Sequence, residues 1–518
     1  IVNNRIKISV KENESFEERT TVITIDAGNE ITSPISVSQA GRIKTSEKKI
    51  NSFIIKADKN NLKSDIQASI DNVDKLIKIR TNEWIGNAKE LIVDFQSPGT
   101  LYVNNEQQKS GESTQSFFEE LIYTVKDSDG TSEDYKVSIS GPMFTGLPVV
   151  SIFIDGDKEV VNKKPALPAS FNLTNTEDYK FDMSNTEMSI RGRGNSTWGM
   201  PKKPYRIDFP SKTSLFGLPA AKKWVFLANY QDPTLLMNDI AFELGRRFGL
   251  EFNHSSIHVE MFINGTYRGN YQMTEQKEVG KGRVDIDTNG GFLAEIDTYF
   301  DEDYKFYSEH FNLPVMVADP SLNNEDEMQY IKDAFHEFER TLYGENFPSN
   351  DYEKYTDVNS LINFILINEF VRNQELHHPK STYMYKSAGE KIKWGPLWDF
   401  DWAFGFNESD TYFIADDLLF YEGHPDKRAG AQFFSKFFEI PSFKDKYYAR
   451  WKVVKPIAQD IVNYIDKKAK ELSKSQKENF ALADATPDTK NASYEELISQ
   501  MKQWIENRIE FLDKELAK

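Results

Sequence analysis

The chain has 518 residues, a formal net charge of −18, 39% hydrophobic and 13% aromatic residues, and no cysteine. This length exceeds one ordinary core, so two or three domains are expected, and the apolar content excludes a disordered chain. The acidic balance argues against non-specific binding to nucleic acid or anionic membranes. The absence of Cys excludes disulfides, thiolate zinc sites and cysteine nucleophiles. No apolar run has the length of a membrane span. The chain opens on Ile1, so a signal segment or lipid anchor is expected to have been removed.

Residues 1–145 read as all-β. Period-two alternation at 21–26 and 35–38 marks half-buried strands, and short strands follow at 53–56, 75–79, 90–95, 100–103, 121–125 and 135–139. Turn signals separate them, among them Ser97-Pro-Gly99 and Asp127-Ser-Asp-Gly130. This spacing predicts β-sandwich modules. No catalytic cluster falls in them, so a spacer or a binding module is the expectation. Composition shifts near Gly141-Pro142. Strands dominate up to about residue 297, with Asn264-Gly265 as a hairpin turn between 256–263 and the next run. From about Asn324 the pattern turns helical. Val358, Leu361, Ile362, Ile365, Leu366 and Phe370 mark one apolar helix face, and 494–516 has helical spacing. The change of pattern sets the last domain at 146–518. The fold class is multidomain: N-terminal all-β sandwich modules, then one α+β domain.

The sharpest chemical signal is Gly395-Pro-Leu-Trp-Asp-Phe-Asp-Trp-Ala-Phe-Gly405. Asp399 and Asp401 stand two apart in an apolar, aromatic run, and burying unpaired carboxylates is costly. In an extended segment both would point to one face and could converge on one Mg²⁺ or Mn²⁺. A second candidate is Ile190-Arg-Gly-Arg-Gly-Asn-Ser-Thr-Trp-Gly199, with Lys202 and Lys203 beyond it. Its glycines let backbone N–H groups approach a polyphosphate, which Arg191, Arg193, Lys202 and Lys203 would neutralise, with Asn195 and Ser196 as polar contacts. It is neither a Walker motif nor G-x-G-x-x-G, and a plain glycine-rich loop with solvated arginines is the alternative. Glu275 ends a strand-like run, where it could pair with Lys202 or Lys203, touch a ligand, or be solvated. Asp285, Asp287 and Asn289 begin like a calcium loop, but Ile296 stands where the closing Glu belongs. The segment 291–297 reads instead as a strand with Glu295 and Asp297 on one face. Glu375 is a candidate base, while the adjacent His377 and His378 diverge from a shared metal. No H-E-x-x-H and no G-x-S-x-G occurs, so zinc hydrolysis and serine hydrolysis are poorly supported.

In this order the pieces resemble the spore-coat protein H (CotH) kinase family over about residues 147–518. They are Arg191-Gly-Arg-Gly-Asn-Ser196, Pro201-Lys-Lys-Pro-Tyr-Arg206, Gly269-Asn-Tyr-Gln-Met-Thr-Glu275, Gly290-Gly-Phe-Leu-Ala-Glu-Ile-Asp297, Tyr383-Met-Tyr385 and Trp398-Asp-Phe-Asp401. The segment ending Ser38-Gln-Ala-Gly41 resembles the closing strands of a BACON-type sandwich of bacterial surface proteins, which implies a partial module at 1–41 and leaves 42–145 as a second β-sandwich module. The first resemblance implies an atypical protein-kinase-like fold and use of ATP with a divalent metal to phosphorylate protein serines. It gives Asp399 the metal that bridges the ATP phosphates. It gives Glu375 the place of an Asp in an N-x-D motif, and Lys380 and Ser381 the place of an Asn that serves as a metal ligand. The expected activity is transfer of the ATP γ-phosphate to protein Ser or Thr by an exported or cell-surface enzyme of the bacterial envelope. One alternative is a catalytically degenerate surface module that binds glycan or a protein partner. Another is transfer of a phosphoryl or nucleotidyl group to a non-protein acceptor such as sugar.

Overall fold

The computed structural model describes residues 6–26, 28, 32–41, 48–86, 88, 90–407, 411–485 and 492–516. The expected boundary after residue 41 meets 42–47, which lie outside the described residues. The chain divides into two compact units, Ile1–Arg80 with Gly86–Ile139, and Thr81–Ile85 with Ser140–Lys518.

In the first unit, β1 (Arg19–Asp26) and β2 (Thr32–Gln39) pair antiparallel, from Arg19 opposite Gln39 to Asp26 opposite Thr32. Alternation suggested half-buried strands, and Ile23, Ile25 and Val37 are half-buried with exposed residues between them, while Val22 is 62% and Ile35 37% exposed. β3 (Ser52–Ile55), α1 (Ala57–Asn60), β4 (Ile66–Gln67), β5 (Ser69–Asp71), β6 (Leu76–Arg80) and β7 (Leu91–Gln96) follow. Next come β8 (Thr100–Val103), β9 (Glu106–Gln107), β10 (Thr114–Gln115), β11 (Leu121–Lys126) and β12 (Ser132–Ser140). They form a four-stranded sheet, β10-β7-β3-β4, and a six-stranded one, β5-β6-β12-β11-β8-β9. Alternate residues such as Ile77, Ile79, Val93 and Val125 are buried, and the rings of Phe53 and Tyr123 meet edge to face at 5.2 Å between the sheets.

The second unit begins with a barrel. Its strands are β13 (Val149–Ile154), β14 (Leu167–Thr174), β15 (Met183–Gly192), β16 (Tyr205–Thr213), β17 (Ala221–Leu227), β18 (Ile257–Ile263) and β19 (Thr266–Glu275). They close in the order β13-β14-β15-β16-β17-β19-β18, and β13 runs parallel to β18 at the closure. Ile152, Phe171, Ile190, Trp224 and Met261 fill a core cluster within these strands. Asn264 (φ 51°) and Gly265 (φ 74°) turn β18 into β19. Positive φ at both positions is the two-residue hairpin geometry that Asn-Gly favours. The short α2 (Ser196–Gly199) lies between β15 and β16, and α3 (Met237–Phe248) between β17 and β18.

A second sheet follows, built of β20 (Phe292–Ile296), β21 (Lys305–Tyr307), β22 (Pro314–Asp319), β23 (Thr382–Lys386) and β24 (Lys393–Trp394), in the order β21-β22-β20-β23-β24. Helices α4 (Glu325–Arg340) and α5 (Val358–Phe370) precede β23. Helices α6 (Ala429–Lys436), α7 (Pro441–Leu472), α8 (Ser475–Phe480) and α9 (Tyr494–Leu516) complete the unit. Asp357 caps α5 by accepting from the Ser360 N–H at 2.7 Å. The spacing suggested one apolar face, but every residue from Leu361 to Phe370 is buried. Helices α3, α7 and α9 and strand β24 all pack against α5. Its polar residues have partners: Asn363 donates to Phe248 O at 2.9 Å, and Glu369 pairs with Arg508 at 2.6 Å. No helix among the described residues is long and apolar enough to cross a membrane. The chain thus joins a β-rich N-terminal region to a mixed helical and β C-terminal one.

Candidate active site

A cleft of about 590 Å³ opens in the second unit, lined by the turn after β15, the ends of β17 and β19, strand β20 and the segment around Asp399. Pockets that bury small ligands span about 300–1,000 Å³. Arg191, Arg193, Asn195, Ser196, Lys202, Asp399 and Asp401 line it; Lys203, Glu275 and Glu375 do not.

The turn after β15 needs its glycines. A Cβ on Gly192 would lie 2.3 Å from the Trp198 ring, and Gly194 has φ +84° with Thr197 Oγ1 2.1 Å from where a Cβ would be. The turn therefore folds tightly over α2 and brings its arginines to the cleft. Arg191 donates to Lys163 O at 3.0 Å, and Lys163 Nζ donates to Asn195 Oδ1 at 3.1 Å. The Arg193 guanidinium lies 5.3 Å from the Trp398 ring centre. Desolvation lowers its pKa, and the charge of Asp399 opposes that shift.

Asp399 and Asp401 reach the same cleft, although not along an extended strand. Asp399 has φ +64°, a left-handed conformation uncommon outside glycine, although Asp and Asn adopt it more readily than other residues. Asp399 Oδ2 accepts from Ser381 Oγ at 3.3 Å, and Asp401 Oδ1 accepts from Asn238 Nδ2 at 3.3 Å. Burial, then the charge of Asp399, pushes the Asp401 carboxyl well above the usual range. Asp297 faces them: its Oδ2 accepts from Ser381 N at 3.0 Å. Glu375 is buried close to this group, and its Oε2 has no hydrogen-bond donor among the described residues. Burial and then the Asp399 charge raise its pKa strongly. Asn373 ties the two segments together, accepting from Glu375 N and donating to Asp399 O, both at 3.2 Å.

The lysines of the motif are used elsewhere. Lys202 is buried, and its ammonium donates to Ala228 O (2.9 Å), Asn270 O (2.5 Å) and Asn479 Oδ1 (2.8 Å). An ammonium has three donors, so all are taken. Burial brings its pKa down to about 7. Lys203 donates to Trp198 O at 2.9 Å. Glu275 pairs with neither lysine. It accepts from Ser255 N at 2.7 Å and Ser255 Oγ at 2.8 Å, and lies 3.8 Å from His254 Nδ1. Burial raises its pKa, but these bonds outweigh it and hold the carboxyl at about 2. His377 and His378, expected to diverge, both meet one guanidinium. Arg428 Nη2 lies 3.2 Å from His377 Nδ1, and Arg428 Nη1 lies 2.7 Å from His378 Nε2.

Sequence reasoning passed over Lys277. It lies two residues beyond Glu275, lines the cleft, and stands 3.6 Å from Glu295 and 5.0 Å from the Trp398 ring centre. Tyr383 OH contacts both Lys277 and Glu295. Burial lowers the Lys277 pKa and raises that of Glu295 to about 7. Its position at the mouth of a strand ending in a carboxylate was the available signal. Asp297 was read only as a strand-face residue.

Among the described residues no three His, Asp or Glu side chains converge closely enough to enclose a metal. Asp399 and Asp401 nevertheless suit one hard cation, because Mg²⁺ commonly takes one or two carboxylates and completes its shell with phosphate oxygens and water. Positive charge placed among these groups would meet the Glu375 Oε2 that lacks a donor among the described residues and would oppose the rise that burial and the Asp399 charge give the Glu375 and Asp401 carboxyls. The donor set fits a divalent ion that arrives with a phosphorylated ligand.

Residues 2–40 match a family model described as a putative binding domain, N-terminal (BACON). No curated protein matches the chain. Residues 190–512, which hold Arg191, Arg193, Lys277, Glu375, Asp399 and Asp401, match the family model described as CotH kinase protein. The chain belongs to the CotH kinase protein family.

Proposed function

We propose that the cleft binds a nucleoside triphosphate, ATP, with one Mg²⁺ or Mn²⁺, and that the γ-phosphoryl group passes to a protein Ser or Thr hydroxyl. The observation that carries this reading is the meeting of Arg193, Lys277, Asp399 and Asp401 around the Trp398 indole in one cleft. Phosphoryl transfer asks for positioning and charge neutralisation more than covalent help. Arg193 and Lys277 neutralise phosphate oxygens, while the turn 191–196 covers them. Asp399 and Asp401 hold the ion, which when bound supplies positive charge at the phosphates. The acceptor oxygen forms its bond to the γ-phosphorus as the bond to the ADP oxygen breaks, and Glu375 takes the hydroxyl proton. In the same reading 146–518 is the catalytic domain. The modules at 1–41 and 42–145 hold it at the bacterial envelope or bind a surface glycan.

Calorimetry of ATP binding with and without Mg²⁺ or Mn²⁺ tests the site. Metal-dependent binding in the wild type that is lost in Asp399→Ala is expected; equal binding by both proteins overturns it. A product heavier by one phosphate, found on protein, separates protein phosphorylation from nucleotidyl transfer or from a sugar acceptor. The placement of Glu375 outside the cleft lining favours a second reading, a nucleotide-binding surface module without transfer. Metal-dependent ATP binding with no turnover and no phosphorylated product would select it.

A further inference from the structure

Asn238 stands in the first turn of α3, is 3% exposed and lines the cleft. Asp232 fixes that turn, its buried carboxylate accepting from Met237 N at 2.7 Å and from Thr234 N at 2.8 Å. The Asn238 amide bonds the acidic segment twice: Oδ1 accepts from Phe400 N at 3.1 Å, and Nδ2 donates to Asp401 Oδ1 at 3.3 Å. The carbonyl of the same peptide, Asp399 O, accepts from Asn373 Nδ2 at 3.2 Å. Asn373 is buried in the turn after α5, where its Nδ2 also donates to Asn368 Oδ1 at 3.2 Å and its backbone N–H to Asn368 O at 2.9 Å. In a trans peptide the C=O and N–H point opposite ways, so two buried asparagines from two elements grip the 399–400 peptide from opposite sides. Rotation of that peptide would swing the carboxylates on either side of it apart. The grip holds Asp399 at φ +64°, with its carboxylate on Ser381 Oγ and that of Asp401 on Asn238. The Asn238 nitrogen turned to Asp401 is a donor and ligates no cation, so Asn238 acts on an ion through the carboxylates.

We propose that Asn238 is a positioning residue for the acidic pair: together with Asn373 it locks the peptide between Asp399 and Phe400 and so sets both carboxylates for one divalent ion. The proposal rests on the metal–nucleotide reading above. Hydrogen bonds behind ligating carboxylates fix their orientation, and losing one typically costs about tenfold to a hundredfold in metal affinity. Arg193 and Lys277 are held by other contacts, to Trp398 and Glu295, so nucleotide binding that needs no metal should survive the loss of Asn238.

The test measures, by calorimetry on the full chain, the affinity for a non-hydrolysable ATP analogue with and without Mn²⁺. It compares wild type, Asn238→Ser, whose hydroxyl is too short to reach both partners, and Asn238→Asp, which has the shape of Asn and keeps an acceptor for Phe400 N. Asn238→Ser should keep metal-free affinity within about threefold and lose about tenfold or more of the gain that Mn²⁺ gives the wild type. Asn238→Asp should restore most of that gain, the ion offsetting the added carboxylate. Trp398 and Trp402 flank the acidic segment, so near-ultraviolet circular dichroism without ligand should also change in Asn238→Ser. A full Mn²⁺ gain in Asn238→Ser, an equal fall in affinity with and without the ion, an unchanged aromatic spectrum, or an Asn238→Asp as poor as Asn238→Ser overturns the Asn238 role alone. A wild type that binds no analogue, or binds it no better with Mn²⁺, overturns the metal–nucleotide reading, and this inference with it.

Discussion

Replacing Lys202 with Met separates a fold-holding lysine from a ligand-binding one. The ammonium donates three bonds, to Ala228 O, Asn270 O and Asn479 Oδ1, inside the barrel and against α8. Hydrogen bonds from a charged donor contribute about 1.5–3 kcal/mol each. Against this stands the desolvation of the buried ammonium, an effective penalty of several kcal/mol, whose trace is a pKa brought down to about 7. The net cost of Lys202→Met is therefore about 2–4 kcal/mol. The unfolding entropy is about 2.1 cal/mol/K per residue, so in a unit of about 380 residues each kcal/mol shifts Tm by roughly 1.2 °C. The expected fall is about 2–5 °C by calorimetry. ATP affinity of the folded protein should stay within about threefold, because no donor of Lys202 is left for a phosphate. Lys277→Met should behave in the opposite way, keeping Tm within about 1–2 °C and losing about tenfold or more in ATP affinity. A Lys202→Met protein with wild-type Tm and no ATP binding would refute the assignment of Lys202 to the fold.

Arg508 and Glu369 form a buried pair at 2.6 Å, and Arg508 also reaches Asp416 at 2.8 Å. Arg508→Met leaves Glu369 without its cation and should cost about 3–5 kcal/mol in denaturant titration, and a cost below about 1 kcal/mol would contradict the pairing. Burial lowers the His377 pKa to about 4, although Leu419 O and Asp426 favour its protonated form and Arg428 and His424 oppose it. The unfolded imidazole, near pKa 6.5, binds the proton first, so stability is full above that pH and is lost as pH falls towards 4. The loss amounts to at most about 3 kcal/mol. Denaturant midpoints at pH 7 and 4.5 should therefore differ less in His377→Gln than in wild type.

Much of the architecture was legible because it is local. The Asn264-Gly265 turn and the span of α9 depend on residues within a few positions of each other, and the structure places both as the pattern implied. Asp399 and Asp401 stood out for a similar reason: two carboxylates in an apolar run carry a desolvation cost visible in composition alone. Local patterning failed where burial depends on distant elements. The α5 segment looked one-sided because its polar residues Asn363 and Glu369 find partners, Phe248 O and Arg508, far away in the chain. In the β1–β2 ribbon alternation told which residues share a face, and Ile23, Ile25 and Val37 are half-buried, but it did not tell that Val22 and Ile35 would stay exposed.

By itself, then, the amino-acid order determined the element types, the β-rich to helical succession, the family motifs and the acidic pair. Only the tertiary structure decided which cations face that pair. Lys202 and Lys277 are the same side chain at the margins of two motifs. One is consumed by Asn479, 277 residues away, while the other is stood against Glu295 and Trp398 at the cleft. A lysine's role follows from whether its three donors are already satisfied, and that depends on acceptors brought close by folding rather than by sequence.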